Sequence, residues 1–405
     1  MSPFLQLSLA LVIIILAAKA GGWISVQLRQ PAVLGELLAG LVLGPTVIDL
    51  LGQPLFDQHT LEETIFNLAE IGVVFLMFVA GMEVDLREMR RAGRVALLAG
   101  VLGVLAPLIL GALAALPFGF QGNAAVFVGI ILTATSVSIS AQTLLELGVL
   151  RTREGIALLG AAVVDDVLVI VLLSIFLALI GSAAALGAVL GVILNMLLYL
   201  VCAVAIGWFV LPRLVHWVDR QPISEGLAAT VLVSALAFAW AAEVVGGLAA
   251  ITGAFIAGVG LGRTPLRNEI EAKMHTITYA FLVPIFFVSI GLQANAREIA
   301  GPLAPFLIVL FVVAVLSKLI GSGLGARLSG FSNREALRVG IGMVSRGEVG
   351  LIVASVGIRD GIITPEVFSV VVILVLLTTL VTPLLLRAAF PRSPQGVRPT
   401  SEPAE

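Results

Sequence analysis

Polar residues along the chain fall into short islands, separated by apolar stretches of about 17–25 residues, the length a helix needs to cross a hydrocarbon core of about 30 Å. Thirteen such stretches are read, at about 4–19, 31–50, 65–84, 94–116, 124–146, 155–181, 186–211, 224–241, 245–262, 277–293, 303–327, 335–358 and 364–386. The islands between them are short and carry turn residues, as at Leu116-Pro117-Phe118-Gly119 and Phe331-Ser332-Asn333. The pattern predicts an all-α polytopic membrane protein with about 13 transmembrane helices. The first stretch is preceded by no Lys or Arg, which a secretory signal requires, so it reads as a retained span although Ala18-Lys19-Ala20 resembles a cleavage site.

Composition removes the soluble alternative. Of 405 residues, 60% are hydrophobic and 12% charged, and the mean hydropathy is +1.14, too few charges to cover the surface of a soluble domain. The 42 glycines suit close helix packing in lipid. The single cysteine, Cys202, excludes an intrachain disulfide. A net charge of −2 and the lack of a basic tract give no sign of a nucleic-acid partner. Alternate loops hold nineteen of the 23 Lys and Arg residues, whereas the opposite loops hold only Arg297 and Arg359. By the positive-inside rule this places the N-terminus outside and the C-terminus in the cytoplasm.

The chain also repeats itself. GELLAGLVLGPT at 35–46 matches GAFIAGVGLGRT at 253–264, six of twelve positions being identical, at an offset of 218. Gly81-Met82-Glu83-Val84-Asp85 lines up with Gly291-Leu292-Gln293-Ala294-Asn295 at 210, and Gly129-Ile130 with Gly340-Ile341 at 211. Seven spans separate each pair, an odd number, so the halves are expected to be inverted in the membrane, as in many secondary transporters. Gly40 and Gly44, and Gly258 and Gly262, form small-residue faces that allow close helix approach, within a subunit or across a dimer.

A few charges lie where charge is expensive. Asp165 and Asp166 occupy mid-span 6, and Lys318 mid-span 11. An ionisable group at such depth costs several kcal/mol unless paired, hydrated or neutralised. Neighbouring helical positions point about 100° apart, so the two carboxylates do not share a proton face to face and each needs its own partner; Lys318 is the obvious counter-charge. Span 5 is interrupted by Thr133, Thr135, Ser136, Ser138 and Ser140, and span 12 by Ser345, Arg346, Gly347 and Glu348. Such stretches suit discontinuous helices whose unwound carbonyls face an ion. The bland alternatives are hydroxyls bonded to their own helix and a structural Arg346–Glu348 ion pair. Glu36, Glu83, Asp85, Glu146 and Glu243 are weaker candidates for a funnel lining, and His59, His216 and His275 fall in or near loops.

On these residues the sequence resembles the monovalent cation:proton antiporters of the second cation–proton antiporter family, and among them the bacterial sodium/proton members. The resemblance runs from about residue 30 to 386 and is most specific at 35–45, 133–150, 160–168, 284–291 and 346–353, with Lys318 in the matching span. It implies a homodimer in a bacterial inner (plasma) membrane and a role in pH homeostasis. It implies a core of spans 4–6 (94–181) and 11–13 (303–387), which moves like an elevator against a dimer domain of spans 1–3 (1–93) and 8–10 (223–302). Span 7 (182–222) links the two, and a disordered tail at 388–405 follows. Asp166 would bind the cation with help from Thr133, Asp165 would pair with Lys318, and Thr135, Ser136, Arg346 and Glu348 would support the helix crossing. The cargo would be Na+, with Li+ or K+ as alternatives, exchanged electrogenically for H+, with no cofactor and no enzymatic activity. Potassium-efflux relatives carry Gln-Asp in place of Asp-Asp and a nucleotide-binding domain behind it, which favours sodium here. Potassium/proton exchange, sodium-coupled symport of an organic anion, a passive channel and an intramembrane aspartyl protease are the rival readings, the last disfavoured by the adjacent spacing of the carboxylates.

Overall fold

The computed structural model describes residues 2–84, 86–180, 185–293 and 303–390. Asp85, Asn295, Arg297 and the tail from 391 lie outside the described residues, as do the side chains of Glu348 and Arg359. In chain order the helices are α1 (Pro3–Gln27), α2 (Ala32–Leu43), α3 (Gln58–Glu83), α4 (Leu86–Ala115), α5 (Asn123–Thr133), α6 (Val137–Glu146), α7 (Arg153–Ile180), α8 (Ala185–Ala205), α9 (Leu211–Asp219), α10 (Gly226–Val244), α11 (Ala250–Leu261), α12 (Arg267–Ile277), α13 (Val283–Leu292), α14 (Leu303–Leu328), α15 (Asn333–Gly342), α16 (Glu348–Arg359) and α17 (Pro365–Ala389). One wider helical turn joins α8 to α9 and another joins α12 to α13, so each pair is continuous.

Among the described residues, ten helical segments are long and apolar enough to cross a membrane. The other expected spans appear as the shorter apolar helices Ala32–Leu43 and Ala250–Leu261 and the broken segment that ends in Val349–Ile358. The expected span 31–50 is thus cut to 12 residues. Gly44 is extended, at φ −73° and ψ −179°, and Pro45 behind it disfavours helical geometry in the residue before it. The charged stretch 267–276, expected as loop, is helical and continues into α13.

The matched segments make equivalent contacts. In α2, Gly40 lies against the backbone of Val288 in α13; in α11, Gly258 lies against the backbone of Phe78 in α3. The two glycines differ by 218 and their partners by 210, the same offsets that relate the sequence repeats. Gly129 of α5 meets the Leu108 carbonyl of α4, and Gly340 of α15 the Leu319 carbonyl of α14, at an offset of 211 for both members. The two halves of the chain thus place these glycines in matching contacts. They also place the small-residue faces within the chain.

The helices gather into two groups. α1, α2, α3, α10, α11 and α13 pack on one another, while α4 packs on α5, α7 and α14, and α14 on α15 and α17. Across the boundary α6 meets α2 and α3, and α17 meets α2.

Candidate functional site at the crossed helix breaks

Two helices are interrupted where the polar runs fall. Between α5 and α6, Ala134 (φ −57°, ψ 137°) and Ser136 (φ −92°, ψ 109°) are extended. Between α15 and α16 the chain unwinds through Gly347, at φ −159° and ψ −144°. Backbone groups freed inside a membrane must find partners in the protein, and the two breaks supply them to each other. The Ser136 N–H donates to the Ser345 carbonyl (2.9 Å), and the Ser345 hydroxyl donates to the Ser136 carbonyl (2.5 Å). The Ser140 hydroxyl donates to the Gly342 carbonyl at 2.5 Å. Ser136 therefore supports the crossing mainly through its backbone.

α4 lies between the helices that carry the expected charges. Its Gly100 faces Ala161 and Val164 of α7, while Gly321 and Gly325 of α14 press on the Leu102 and Leu98 carbonyls of α4. Without Cβ atoms at these positions α7 and α14 come close enough for their charges to meet. Lys318 Nζ donates to Asp165 Oδ1 at 2.6 Å, and both side chains are fully buried. The Thr135 hydroxyl lies beside the same carboxylate, which ties the α5–α6 break to the pair.

Asp166 projects elsewhere, as the 100° step requires. The Thr252 hydroxyl of α11 donates to its Oδ2 at 3.3 Å. A cavity of about 10 Å³ adjoins it, lined by Asp166 and Thr252 together with Met77, Val137, Leu159, Val163, Ile251 and Phe255. That is about the room of one water. The carboxylate thus sits at the seam between the two helix groups, under an apolar cover drawn from both.

The remaining candidates are placed as follows. The Thr133 hydroxyl donates to its own helix at the Ile130 carbonyl (2.6 Å), the bland alternative, although its oxygen keeps lone pairs free to accept. Arg346, 1% exposed, donates to the carbonyls of Met343 (3.2 Å) and Ala314 (3.1 Å), and its backbone is held by Thr378 and Thr379 of α17. A guanidinium at the carbonyl end of α15 answers the negative end of that helix dipole. The expected Arg346–Glu348 couple falls outside the described side chains, and backbone carbonyls are the partners found for Arg346.

Away from the breaks, Glu146 at the end of α6 accepts from the N–H groups of Ala32 (2.5 Å) and Val33 (3.2 Å), capping α2 in the other helix group. Glu36 pairs with Lys19 at 3.3 Å, and Glu83 with Arg151 at 2.7 Å. Glu243 is exposed. Sequence reasoning missed Thr252; its only signal is a lone hydroxyl immediately before the repeated 253–264 segment.

A multi-pass helical protein with two interrupted helices crossing beside a buried lysine–aspartate pair has the build of a membrane transporter. A family model described as "Sodium/hydrogen exchanger, transmembrane" matches residues 9–390. The chain is 39% identical over 387 residues to the Na(+)/H(+)-K(+) antiporter GerN of Bacillus cereus, covering 96% of each chain. It is 36% identical over 379 residues to a Na(+)/H(+) antiporter of Enterococcus hirae, covering 93% of this chain and 96% of that one. Its fold matches that of the sodium proton antiporter MjNhaP1 from Methanocaldococcus jannaschii with a TM-score of 0.69 at 19% identity, over 94% of this chain and 96% of that one. The chain belongs to the sodium/hydrogen exchanger family, whose members are cation/proton antiporters rather than enzymes.

Proposed function

We propose that this protein is a secondary active sodium/proton antiporter in which cation and protons compete for the Asp165–Asp166 pair. The observation that carries the reading is the division of labour between the two carboxylates: Asp165 holds Lys318 at 2.6 Å, while Asp166 faces a small cavity at the seam between the helix groups. A carboxylate flanked by hydroxyls and helix breaks suits a hard monovalent cation. Thr252 and the oxygen of Thr133 would add ligands. Filling the site with either a cation or protons neutralises it, so the core can cross the barrier without carrying a bare charge through lipid.

In this reading the group of α4–α7 and α14–α17 is the moving core, and the group of α1–α3 and α10–α13 the static half of a homodimer. The N-terminus lies outside, in a bacterial inner membrane, and exchange is electrogenic, more than one proton crossing per cation. Met77, Ile251 and Phe255 from the static side and Val137, Leu159 and Val163 from the core would part when the site opens. Potassium is the second cargo to consider, because the name of the Bacillus cereus relative includes both ions. The test is dye-reported proton flux in proteoliposomes across a pH series with Na+, Li+ and K+. Sodium is expected to give the lowest half-saturating concentration; proton flux with potassium alone would reassign the ion, and cation flux without proton movement would remove the antiport reading.

A further inference from the structure

Hydroxyls in the apolar helices usually fold back onto their own carbonyls one turn earlier. Thr143 donates to Ile139 at 2.8 Å, Ser329 to Gly325 at 2.8 Å, and Thr382 to Thr378 at 2.7 Å. Ser322 in α14 does not: the residue is fully buried and its hydroxyl has no hydrogen-bond partner. A buried unpartnered hydroxyl is costly, so a second arrangement that uses it is favoured.

Ser322 stands four residues after Lys318, on the same helix face. Both side chains border one gap, over Gly103 of α4. A Cβ at Gly103 would collide with the Ser322 hydroxyl and would lie 3.7 Å from Lys318 Nζ. The glycine thus keeps clear the space between the lysine's head and the idle hydroxyl.

We propose that Ser322 is a positioning residue for Lys318, receiving its amine across the Gly103 gap when it leaves Asp165. In the closed arrangement Nζ is on Asp165, and in the released arrangement it is on Ser322 Oγ, as a donor if charged or as an acceptor if neutral. The charged groups facing Lys318 are Asp165 and Asp166 from α7 and Arg346 from the α15–α16 break; Ser322 offers the amine a neutral place among them. Any step that frees Asp165 is therefore easier with Ser322 present. This inference rests on the antiport reading, in which the Lys318–Asp165 bond opens during exchange.

The test compares wild type, Ser322→Ala and Ser322→Cys in proteoliposomes, reading Na+-dependent proton flux across pH, with thermal unfolding of each purified protein as a folding control. Loss of one hydrogen bond in the released arrangement should raise the apparent KM for Na+ of Ser322→Ala about fivefold. It should also move the acid limb of the pH profile toward alkaline pH by about 0.7 unit, the same factor on a logarithmic scale. Ser322→Cys, similar in shape but a weaker hydrogen-bonding group, should fall between. A variant with wild-type KM and pH profile, or one that loses only maximal rate, overturns the proposal and leaves antiport intact. A wild type with no cation-dependent proton flux overturns the antiport reading itself.

Discussion

Replacing Lys318 with Met keeps most of its volume and removes its charge, leaving the Asp165 carboxylate in a site with no exposure. Breaking a buried ion pair from one side costs about 3–5 kcal/mol, because the remaining charge is stranded, whereas replacing both partners by groups of similar shape is often neutral or better. At 2.6 Å and complete burial the Lys318–Asp165 contact meets the conditions for the full penalty. Lys318→Met alone should therefore lower unfolding stability by about 3–5 kcal/mol, and the double variant Asp165→Asn with Lys318→Met should recover most of it. The expected coupling is about 3 kcal/mol, at the upper end of measured double-mutant cycles. Denaturant or thermal unfolding of the four purified proteins, followed by intrinsic tryptophan fluorescence, completes the cycle. If the single and double variants lose stability additively, the two groups do not act as a pair and the reasoning from burial fails.

Other consequences are smaller. Thr252→Val removes the donor to Asp166 while keeping its shape and should raise the apparent KM for Na+ severalfold, for a bond of about 1 kcal/mol; Thr252→Ser should restore it, and equal KM values in all three would remove Thr252 from the site. Gly258→Ala forces a methyl onto the Phe78 backbone and should cost about 1–3 kcal/mol, whereas Gly191→Ala, with nothing within 4 Å of the added carbon, should be neutral or slightly stabilising; paired melting curves separate the two. Glu146→Ala strips the cap from α2 and should cost about 0.5–2 kcal/mol, read as a lower melting temperature that Glu146→Asp partly restores.

Much of this arrangement was legible in the sequence, and the reasons are physical. A lysine and an aspartate each placed mid-span have few ways to be satisfied in lipid, so their meeting follows from cost alone. The interruptions at 132–140 and 342–350 announced broken helices, because hydroxyls, glycine and arginine in the middle of apolar stretches relieve unpaired backbone. The repeat picked out Gly40 and Gly258 as equivalent positions, but which helices they touch, and that they touch within the chain, came only from the structure.

What stayed hidden depended on tertiary placement. Thr252 is one hydroxyl in an apolar run, and only the approach of α11 to α7 makes it a partner of Asp166. Glu146 caps a helix more than a hundred positions away, a choice invisible to local pattern. The carbonyls of Met343 and Ala314 that accept from Arg346 come from two different elements, a pairing that local pattern does not show. The shortness of α2 was hidden because Gly44-Pro45 lies inside an apolar stretch read as one span over 31–50.

The central claim is that Asp166 is where cation and protons compete. Asp166→Asn keeps the shape and the hydrogen-bond partner while removing the charge. In proteoliposomes with a preset pH gradient, wild type should show Na+-dependent proton efflux and Asp166→Asn none, with both proteins melting at similar temperatures. Sodium-dependent proton flux retained in the folded Asp166→Asn protein would contradict the account.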